Sequence, residues 1–168
     1  MPQNELPKRK SFRLKEYDYS TPGAYFITIC TADRKRILSD ITVGGGVLDA
    51  PRGTLSEYGR FVEKTLLDID RQYDFISVEK YVIMPNHIHL LISVTDDGAS
   101  GTPPPTRANA LVPRIVSTLK RFSNKACGVS LWQRSYHEHV VRNKRDYLEI
   151  WQYIDNNPAR WAEDCYNT

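Results

Sequence analysis

Residues 81–92 read YVIMPNHIHLLI, and this stretch decides the fold class. β-Branched and aliphatic residues lie on both sides of a Pro-Asn pair, which predicts two strands, 75–84 and 87–94, joined by a turn. Residues two apart on a strand project to the same face of a sheet. His87 and His89 are therefore expected side by side on one face, with the aliphatic residues that follow them on the other.

Two imidazoles in register can hold one divalent cation, so this pair favours a metal-ligand site over two histidines buried in the core. The motif alone leaves both interpretations open, because zinc hydrolases and cupin-like sheets also use H-x-H. A second copy, His137 and His139, occurs in YHEH. We assign the second pair mainly to structure or to the edge of the site.

The periodicity of the rest of the chain predicts further strands and helices around this pair of strands. They are a strand at 24–31, a small hairpin or flap at 41–50, a helix beginning at a Thr54/Glu57 capping box, a helix at 112–125 with Ile115, Leu119 and Phe122 on its apolar face, a strand at 137–141 and a helix at 144–157. This order predicts an α+β fold, with a ferredoxin-like or RRM-like antiparallel sheet, helices on one face and an additional C-terminal helix.

The chain of 168 residues is long enough for one core, and we predict a single domain over 1–168. Within it, 1–20 is expected to be a basic N-terminal arm and 95–108 a flexible loop rich in Gly and Pro. No apolar run reaches the roughly 20 residues of a membrane span, so we expect no membrane association.

The three cysteines are widely spaced and form no C-x-x-C pair. This argues against a disulfide framework and a thiolate zinc site. We therefore expect a protein of the reducing cytoplasm.

The net charge is only +3, but the positive charge is concentrated in one part of the chain. Residues 98–137 contain no Asp or Glu, and a one-signed stretch of this kind suits a polyanion, although a solvated helix face is equally compatible with it. Trp132 and Tyr136 could stack unpaired bases or belong to the core. The candidate DNA-binding residues are Arg114, Lys120, Arg121, Lys125, Trp132, Arg134 and Arg142.

The last predicted helix brings a phenol and a carboxamide together. Its apolar stripe is formed by Tyr147, Ile150, Trp151 and Ile154. Tyr153 lies on the flank of that stripe, and Asn157 is its neighbour because residues four apart share a helix face. The two side chains could face a metal on the sheet, or Tyr153 could border the core while Asn157 caps the helix before Pro158.

Four segments resemble the single-tyrosine HUH transposases of the IS200/IS605 type, and most closely the REP-associated tyrosine transposases. They are KEYDYSTPGAYFITICT, YVIMPNHIHLLI, LWQRSYHEHVVRN and DYLEIWQYIDNNPARW, in the usual order of that family and spanning about 13–161. The resemblance implies that His87, His89 and Asn157 bind a divalent metal, Mg²⁺ or Mn²⁺. It also implies that Tyr153 is the catalytic nucleophile.

This resemblance implies a metal-dependent enzyme of DNA transposition that cleaves and rejoins single-stranded or hairpin DNA through a 5′-phosphotyrosine. A homodimer is a candidate assembly. A metal would neutralise charge on the phosphoryl oxygens, and the phenol, whose free pKa is near 10, would need activation. Two other functions stay open. One is a mononuclear zinc hydrolase using both H-x-H pairs, and the other is a DNA-binding module without cleavage.

Overall fold

A computed structural model describes residues 22–42, 52–95 and 111–167. The predicted N-terminal arm at 1–20, nearly all of the predicted loop at 95–108 and most of the predicted flap at 41–50 lie outside the described residues. The strands are β1 (Gly23–Cys30), β2 (Ser39–Thr42), β3 (Arg52–Leu55), β4 (Ile76–Ile83), β5 (His87–Val94) and β6 (His137–Val140). The helices are α1 (Glu57–Gln72), α2 (Leu111–Cys127) and α3 (Lys144–Asn156), with short 3-10 turns at Ala32–Arg34 and Pro158–Glu163.

Four strands form one antiparallel sheet in the order β4-β5-β1-β6. β5 therefore lies in the middle of the sheet, paired with β4 through the tight turn after Ile83 and with β1 along all eight residues. In this register Thr28 of β1 lies between His89 of β5 and His137 of β6. The predicted α+β class with an antiparallel sheet is confirmed.

The alternation of side chains gives the sheet two covered faces. Ile27, Ile88 and Leu90 point to the face on which α1 and α2 pack, and they form the main core with apolar residues of both helices. Leu91 points to the opposite face and packs against Ile150 and Ile154 of α3. The helices α1 and α2 cover one face of the sheet and α3 covers the other. α3 is the additional C-terminal helix that the sequence predicts.

One residue on the predicted apolar face of α2 is not in the core. Ile115 and Leu119 are buried, but the side chain of Phe122 is 45 % exposed. Phe122 lines a cleft between α1 and α2, with the guanidinium of Arg121 over its ring. The prediction for Phe122 was wrong because this position overhangs the cleft and does not lie over the sheet.

The start of α1 differs from the predicted Thr54/Glu57 capping box. Thr54 belongs to β3, where it pairs with Asp40 of β2, so its hydroxyl is not the helix cap. Ser56 caps the helix instead, and its Oγ accepts a hydrogen bond from the backbone N–H of Gly59 at 3.0 Å. The same hydroxyl lies 2.9 Å from the carbonyl oxygen of Leu38, which ties the helix to the segment before β2.

Gly59 is the point of closest approach between α1 and that segment. A Cβ at Gly59 would lie 2.1 Å from the carbonyl oxygen of Leu38. We expect Gly59→Ala to lower the free energy of unfolding by about 2 kcal/mol or more, because backbone must move to accommodate the methyl group. Gly53→Ala is the matched control, since a Cβ there meets only ordinary contacts, with Cγ1 of Ile41 at 3.6 Å and the carbonyl oxygen of Asp40 at 4.0 Å. Urea unfolding of both variants checks this, and equal stabilities would contradict it.

Within the described ranges, no helix has the length and apolar character that crossing a membrane requires.

Candidate active site

The two histidines of β5 lie on the α3 side of the sheet with their rings in contact. Their side chains are buried, and the two Nε2 atoms are 3.0 Å apart. The ring of Phe26 stacks on His89 with a centroid distance of 5.3 Å. Burial on a central strand therefore holds both imidazoles in one position, as the H-x-H spacing predicts.

Each imidazole is oriented through its Nδ1 atom. His87 Nδ1 lies 2.8 Å from Oδ1 of Asn86, and His89 Nδ1 lies 2.8 Å from Oγ1 of Thr28. The amide of Asn86 is itself oriented, because its Nδ2 donates to the carbonyl oxygen of Tyr166 at 2.7 Å. Asn86 Oδ1 can only accept, so the proton of His87 is on Nδ1 and its Nε2 carries a lone pair. His89 Nε2 then donates to the lone pair of His87 Nε2 at 3.0 Å, and its Nδ1 accepts from the hydroxyl of Thr28.

Burial keeps both rings neutral at physiological pH. It lowers the pKa of His87 to about 4, against a smaller opposing effect of the Asp164 carboxylate. Burial, together with the neighbouring His87, also lowers the pKa of His89 well below its ordinary value. Neutral imidazoles are the form that binds metal ions, so the pair is ready to bind at neutral pH without losing protons.

These shifts make the metal-free protein sensitive to acid. As pH falls from 6.5 towards 4, the unfolded chain takes up a proton at His87 before the folded chain does, so folding stability is lost over that window. We expect His87 alone to contribute a loss of about 2–3 kcal/mol between pH 7 and pH 4.5. Denaturation of the wild-type protein and of His87→Gln in EDTA at both pH values measures this difference. An equal loss in the two proteins would contradict it.

α3 brings a tyrosine to the imidazole pair. The phenolic oxygen of Tyr153 lies 3.4 Å from Nε2 of His89, and the side chain is 42 % exposed. Its ring meets Phe26 edge-on at 5.9 Å, which positions it over the sheet. Burial and the Asp164 carboxylate raise the pKa of Tyr153, while the nearby amide of Asn157 lowers it. Tyr153 is thus a protonated phenol at neutral pH, with its oxygen next to an imidazole nitrogen of the pair.

Asn157 comes directly after the last residue of α3, and its side chain is buried. Its side chain is 4 % exposed, and its Oδ1 has no hydrogen-bond partner among the described residues. Its backbone N–H bonds to the carbonyl oxygen of Ile154, which fixes the residue at the helix end. A buried amide oxygen without a donor is unusual, and a cation at the site would satisfy it.

Asp164 is a site residue that the sequence analysis missed. It follows the 3-10 turn Pro158–Glu163, and its Oδ2 lies 3.7 Å from Nε2 of His87. One atom each of His87, His89 and Asp164 lie within 4.8 Å of one another, a group able to hold a metal ion. Nothing in the local sequence around Asp164 indicates this, because the contact exists only when the C-terminal segment folds back onto the sheet.

Tyr166 is a second phenol near the imidazoles. Its ring centroid lies 4.7 Å from that of His87 and 5.9 Å from that of His89. Burial raises the pKa of Tyr166 to about 12. It is therefore less suited to attack than Tyr153, but it is close enough to be tested.

Tyr153, Asn157 and Asp164 line an open cleft of about 470 Å³, and the buried His87 and His89 lie behind them. The residues that line it include Gln152, Tyr153, Asn156, Asn157, Arg160 and Asp164. Two neutral nitrogens and a carboxylate oxygen converge behind the cleft, and the unpartnered amide oxygen of Asn157 lies on its wall beside Tyr153. Nitrogen and oxygen donors of these types fit a divalent cation. The phenol of Tyr153 is half-exposed at the cleft.

The second H-x-H pair is not part of this group. β6 is separated from β5 by β1, so the second pair lies two strands, about 10 Å, from the first. His139 is exposed, and its Nε2 lies 2.9 Å from Oδ2 of Asp146 at the start of α3. This agrees with a structural role at the edge of the site.

The chain is similar to several known proteins. No protein-family model matches the chain. An uncharacterized protein of Haemophilus influenzae is 32 % identical over 174 residues, covering 93 % of this chain and 91 % of its own. The REP-associated tyrosine transposase of Escherichia coli is 23 % identical over 145 residues, covering 84 % and 70 %. The solved structure of a REP-associated tyrosine transposase bound to a REP hairpin aligns with a TM-score of 0.58 at 18 % identity, covering 83 % of this chain and 68 % of that one.

The chain is thus similar in sequence and in fold to REP-associated tyrosine transposases, which confirms the resemblance of its motifs to that family. The relatives that carry this name are transposases, and transposases are enzymes.

The structure separates the candidate DNA-binding residues of the chain into groups. Arg114, Arg121 and Lys125 are exposed on α2, which covers the face of the sheet opposite to His87 and His89. The structure does not bring these three cations to the imidazole pair. Their positive charge lies on the other side of the molecule from Tyr153.

Two further candidates have structural contacts instead. The ammonium of Lys120 donates to the carbonyl oxygens of Gln133, Arg134 and Ser135, at 2.8 to 3.3 Å, because these carbonyls turn towards α2. Trp132 is 6 % exposed in the main core, and its indole N–H donates to Ser123. Trp132 is thus the core residue that the sequence left as an alternative, and it is not available to stack a base.

Arg134 and Arg142 are the two candidate arginines outside α2. Arg134 follows the segment that pairs with the end of β1, where Cys30 lies opposite His87. Arg142 lies in the connection between β6 and α3. Both side chains are exposed.

Proposed function

We propose that this protein is a transposase that cleaves and rejoins single-stranded DNA through a covalent 5′-phosphotyrosine at Tyr153, with Mg²⁺ or Mn²⁺ bound by His87, His89 and Asn157. One observation carries the proposal, the 3.4 Å between the phenolic oxygen of Tyr153 and Nε2 of His89. At that distance a phosphate bound at the imidazoles is within reach of the phenol. A purely structural tyrosine has no need of that position.

The residues of the chain account for the steps of such a reaction. A bound divalent ion would neutralise charge on the phosphoryl oxygens. Tyr153 forms the new bond from its oxygen to phosphorus, and the bond from phosphorus to the 3′-oxygen breaks, leaving a free 3′-hydroxyl. The phenolic proton passes to water or a nearby base. A 3′-hydroxyl of a second strand can reverse the attack and release Tyr153, so rejoining needs no ATP.

The proposed substrate is single-stranded DNA next to a hairpin. Tyr153 is on a helix, half-exposed at an open cleft, and a phosphate inside a regular duplex could not approach it closely. The solved relative is bound to a REP hairpin, which supports a hairpin ligand here. We propose that Arg134 and Arg142 contact the DNA backbone near the site. The exposed cations of α2 could contact only DNA that extends to the opposite face of the sheet. A homodimer stays a prediction.

The two other functions have less support. A zinc hydrolase using both H-x-H pairs requires His139 at the metal, but His139 is paired with Asp146 two strands away. A DNA-binding module without cleavage would not need the phenol beside the imidazoles.

The test is incubation of the protein with labelled hairpin-bearing single-stranded DNA and Mg²⁺ or Mn²⁺. We expect a cleaved strand with a free 3′-hydroxyl and a protein adduct on the 5′ fragment that survives denaturation. The fully duplex form of the same sequence is the control and should not be cleaved. Binding without cleavage under these conditions would leave the DNA-binding module as the function.

A further inference from the structure

The carboxylate of Asp164 is buried and forms no ion pair with a Lys or Arg of the described part of the chain. Its side chain is 3 % exposed, and Oδ1 accepts a hydrogen bond from the backbone N–H of Tyr166 at 2.7 Å. Oδ2 is buried and has no hydrogen-bond partner among the described residues. A buried charge without compensation is strongly unfavourable, so this oxygen indicates a missing cation.

The atom that faces Oδ2 cannot supply a proton. Oδ2 lies 3.7 Å from Nε2 of His87, beyond hydrogen-bond distance. The proton of His87 is on Nδ1, because that nitrogen contacts the accepting oxygen of Asn86. Nε2 and Oδ2 are therefore two lone-pair atoms facing each other. Two ligand atoms that each bind the same metal ion at about 2.1 Å lie roughly 3–4 Å from one another. The 3.7 Å between Nε2 of His87 and Oδ2 of Asp164 falls in that range.

The segment that carries Asp164 is fixed to the body of the protein. The side-chain amide of Asn86 joins this segment to β5. Its Oδ1 contacts His87 at the start of β5, and its Nδ2 donates to the carbonyl oxygen of Tyr166 in the segment. Arg36 donates to Oδ1 of Asn167 at 2.7 Å and lies over the ring of Trp161. Contacts on both sides of Asp164 thus hold its carboxylate at the imidazoles.

We propose that Asp164 is an anionic ligand of the divalent metal, so that the C-terminal segment completes the site begun by His87 and His89. This rests on the proposed function, which requires a metal at the imidazole pair. A carboxylate oxygen adds negative charge to an otherwise neutral donor set and suits hard ions such as Mg²⁺ and Mn²⁺.

The test is Mn²⁺ binding measured by titration calorimetry, without DNA. We expect Asp164→Asn to raise the Kd for Mn²⁺ about 10- to 100-fold, the range found even for residues that only support metal ligands. Glu163→Gln is the matched control, because it removes the same charge from the preceding residue, whose carboxylate pairs with Arg160 at the surface. Its Kd should stay within about threefold of wild type.

The outcomes separate this inference from the proposed function. Suppose that the wild-type protein and Asp164→Asn bind Mn²⁺ with the same affinity and that His89→Gln does not bind it. The metal site of the proposed function is then supported, and the proposed role of Asp164 is wrong. If the wild-type protein does not bind Mn²⁺, both proposals fail. Loss of affinity in Asp164→Asn and Glu163→Gln alike would show a general charge effect and would also overturn the assignment.

A second readout controls for folding. Asp164→Asn should unfold in EDTA at a temperature no lower than wild type, because the change removes a buried uncompensated charge. The rise in unfolding temperature on adding Mn²⁺ should be clear in the wild type and lost or reduced in the variant. A variant that is destabilised in EDTA but keeps the full rise with Mn²⁺ would identify Asp164 as a structural residue and overturn the proposal.

Discussion

Tyr153→Phe is expected to abolish the covalent protein–DNA adduct and to reduce strand cleavage by at least about 1,000-fold, because it removes the attacking oxygen. The substitution deletes one hydroxyl from a side chain that is 42 % exposed, so stability should change by less than about 1 kcal/mol. DNA affinity should also stay close to wild type. Adducts on denaturing gels, with binding measured on the same preparations, check both expectations.

Tyr147→Phe is the matched control for this variant. Tyr147 lies on the same helix but packs with Trp151 against the apolar cluster of Leu91. It should form the adduct at nearly the wild-type rate. If Tyr153→Phe also retained the adduct, Tyr153 would not be the nucleophile.

His89→Gln is expected to produce the second large effect. It removes the imidazole nearest the Tyr153 oxygen while keeping a polar side chain of similar size. We expect the affinity for Mn²⁺ to fall by about 100-fold or more and cleavage to be lost, because each metal ligand contributes strongly to binding. EDTA should abolish cleavage by the wild-type protein, and added Mn²⁺ or Mg²⁺ should restore it.

His139→Gln makes the same change in the second H-x-H pair. His139 is exposed and paired with Asp146, so the variant should bind Mn²⁺ as wild type does. Loss of metal in His139→Gln would favour the hydrolase that uses both pairs. Cleavage that persists in EDTA would contradict metal dependence altogether.

The parts of the site that depend on local periodicity could be predicted from the sequence. The period of two along β5 places His87 and His89 on one face, and the spacing of four along α3 places Tyr153 near Asn157. Both patterns are properties of one element and need no knowledge of its neighbours. The resemblance to the family then gave these residues their expected roles.

What depends on packing between distant segments could not be predicted. Asp164 reaches His87 only because the C-terminal segment folds back and is held by Asn86 and Arg36. The charge pattern of α2 gave the sign of its surface but not the face of the sheet that α2 covers. The environment of Trp132 was also undecided, because an aromatic residue in a basic segment is equally compatible with stacking and with burial.

The location of the adduct tests the central claim most directly. After reaction with hairpin-bearing single-stranded DNA and nuclease digestion, trypsin separates 146–160, which contains Tyr153, from 161–168, which contains Tyr166. We expect mass spectrometry to find the phosphorylated or nucleotide-bearing tyrosine in the first peptide, with fragment ions that assign it to Tyr153. An adduct on Tyr147 or Tyr166, or no adduct on any tyrosine in DNA that has been cleaved, would contradict the account.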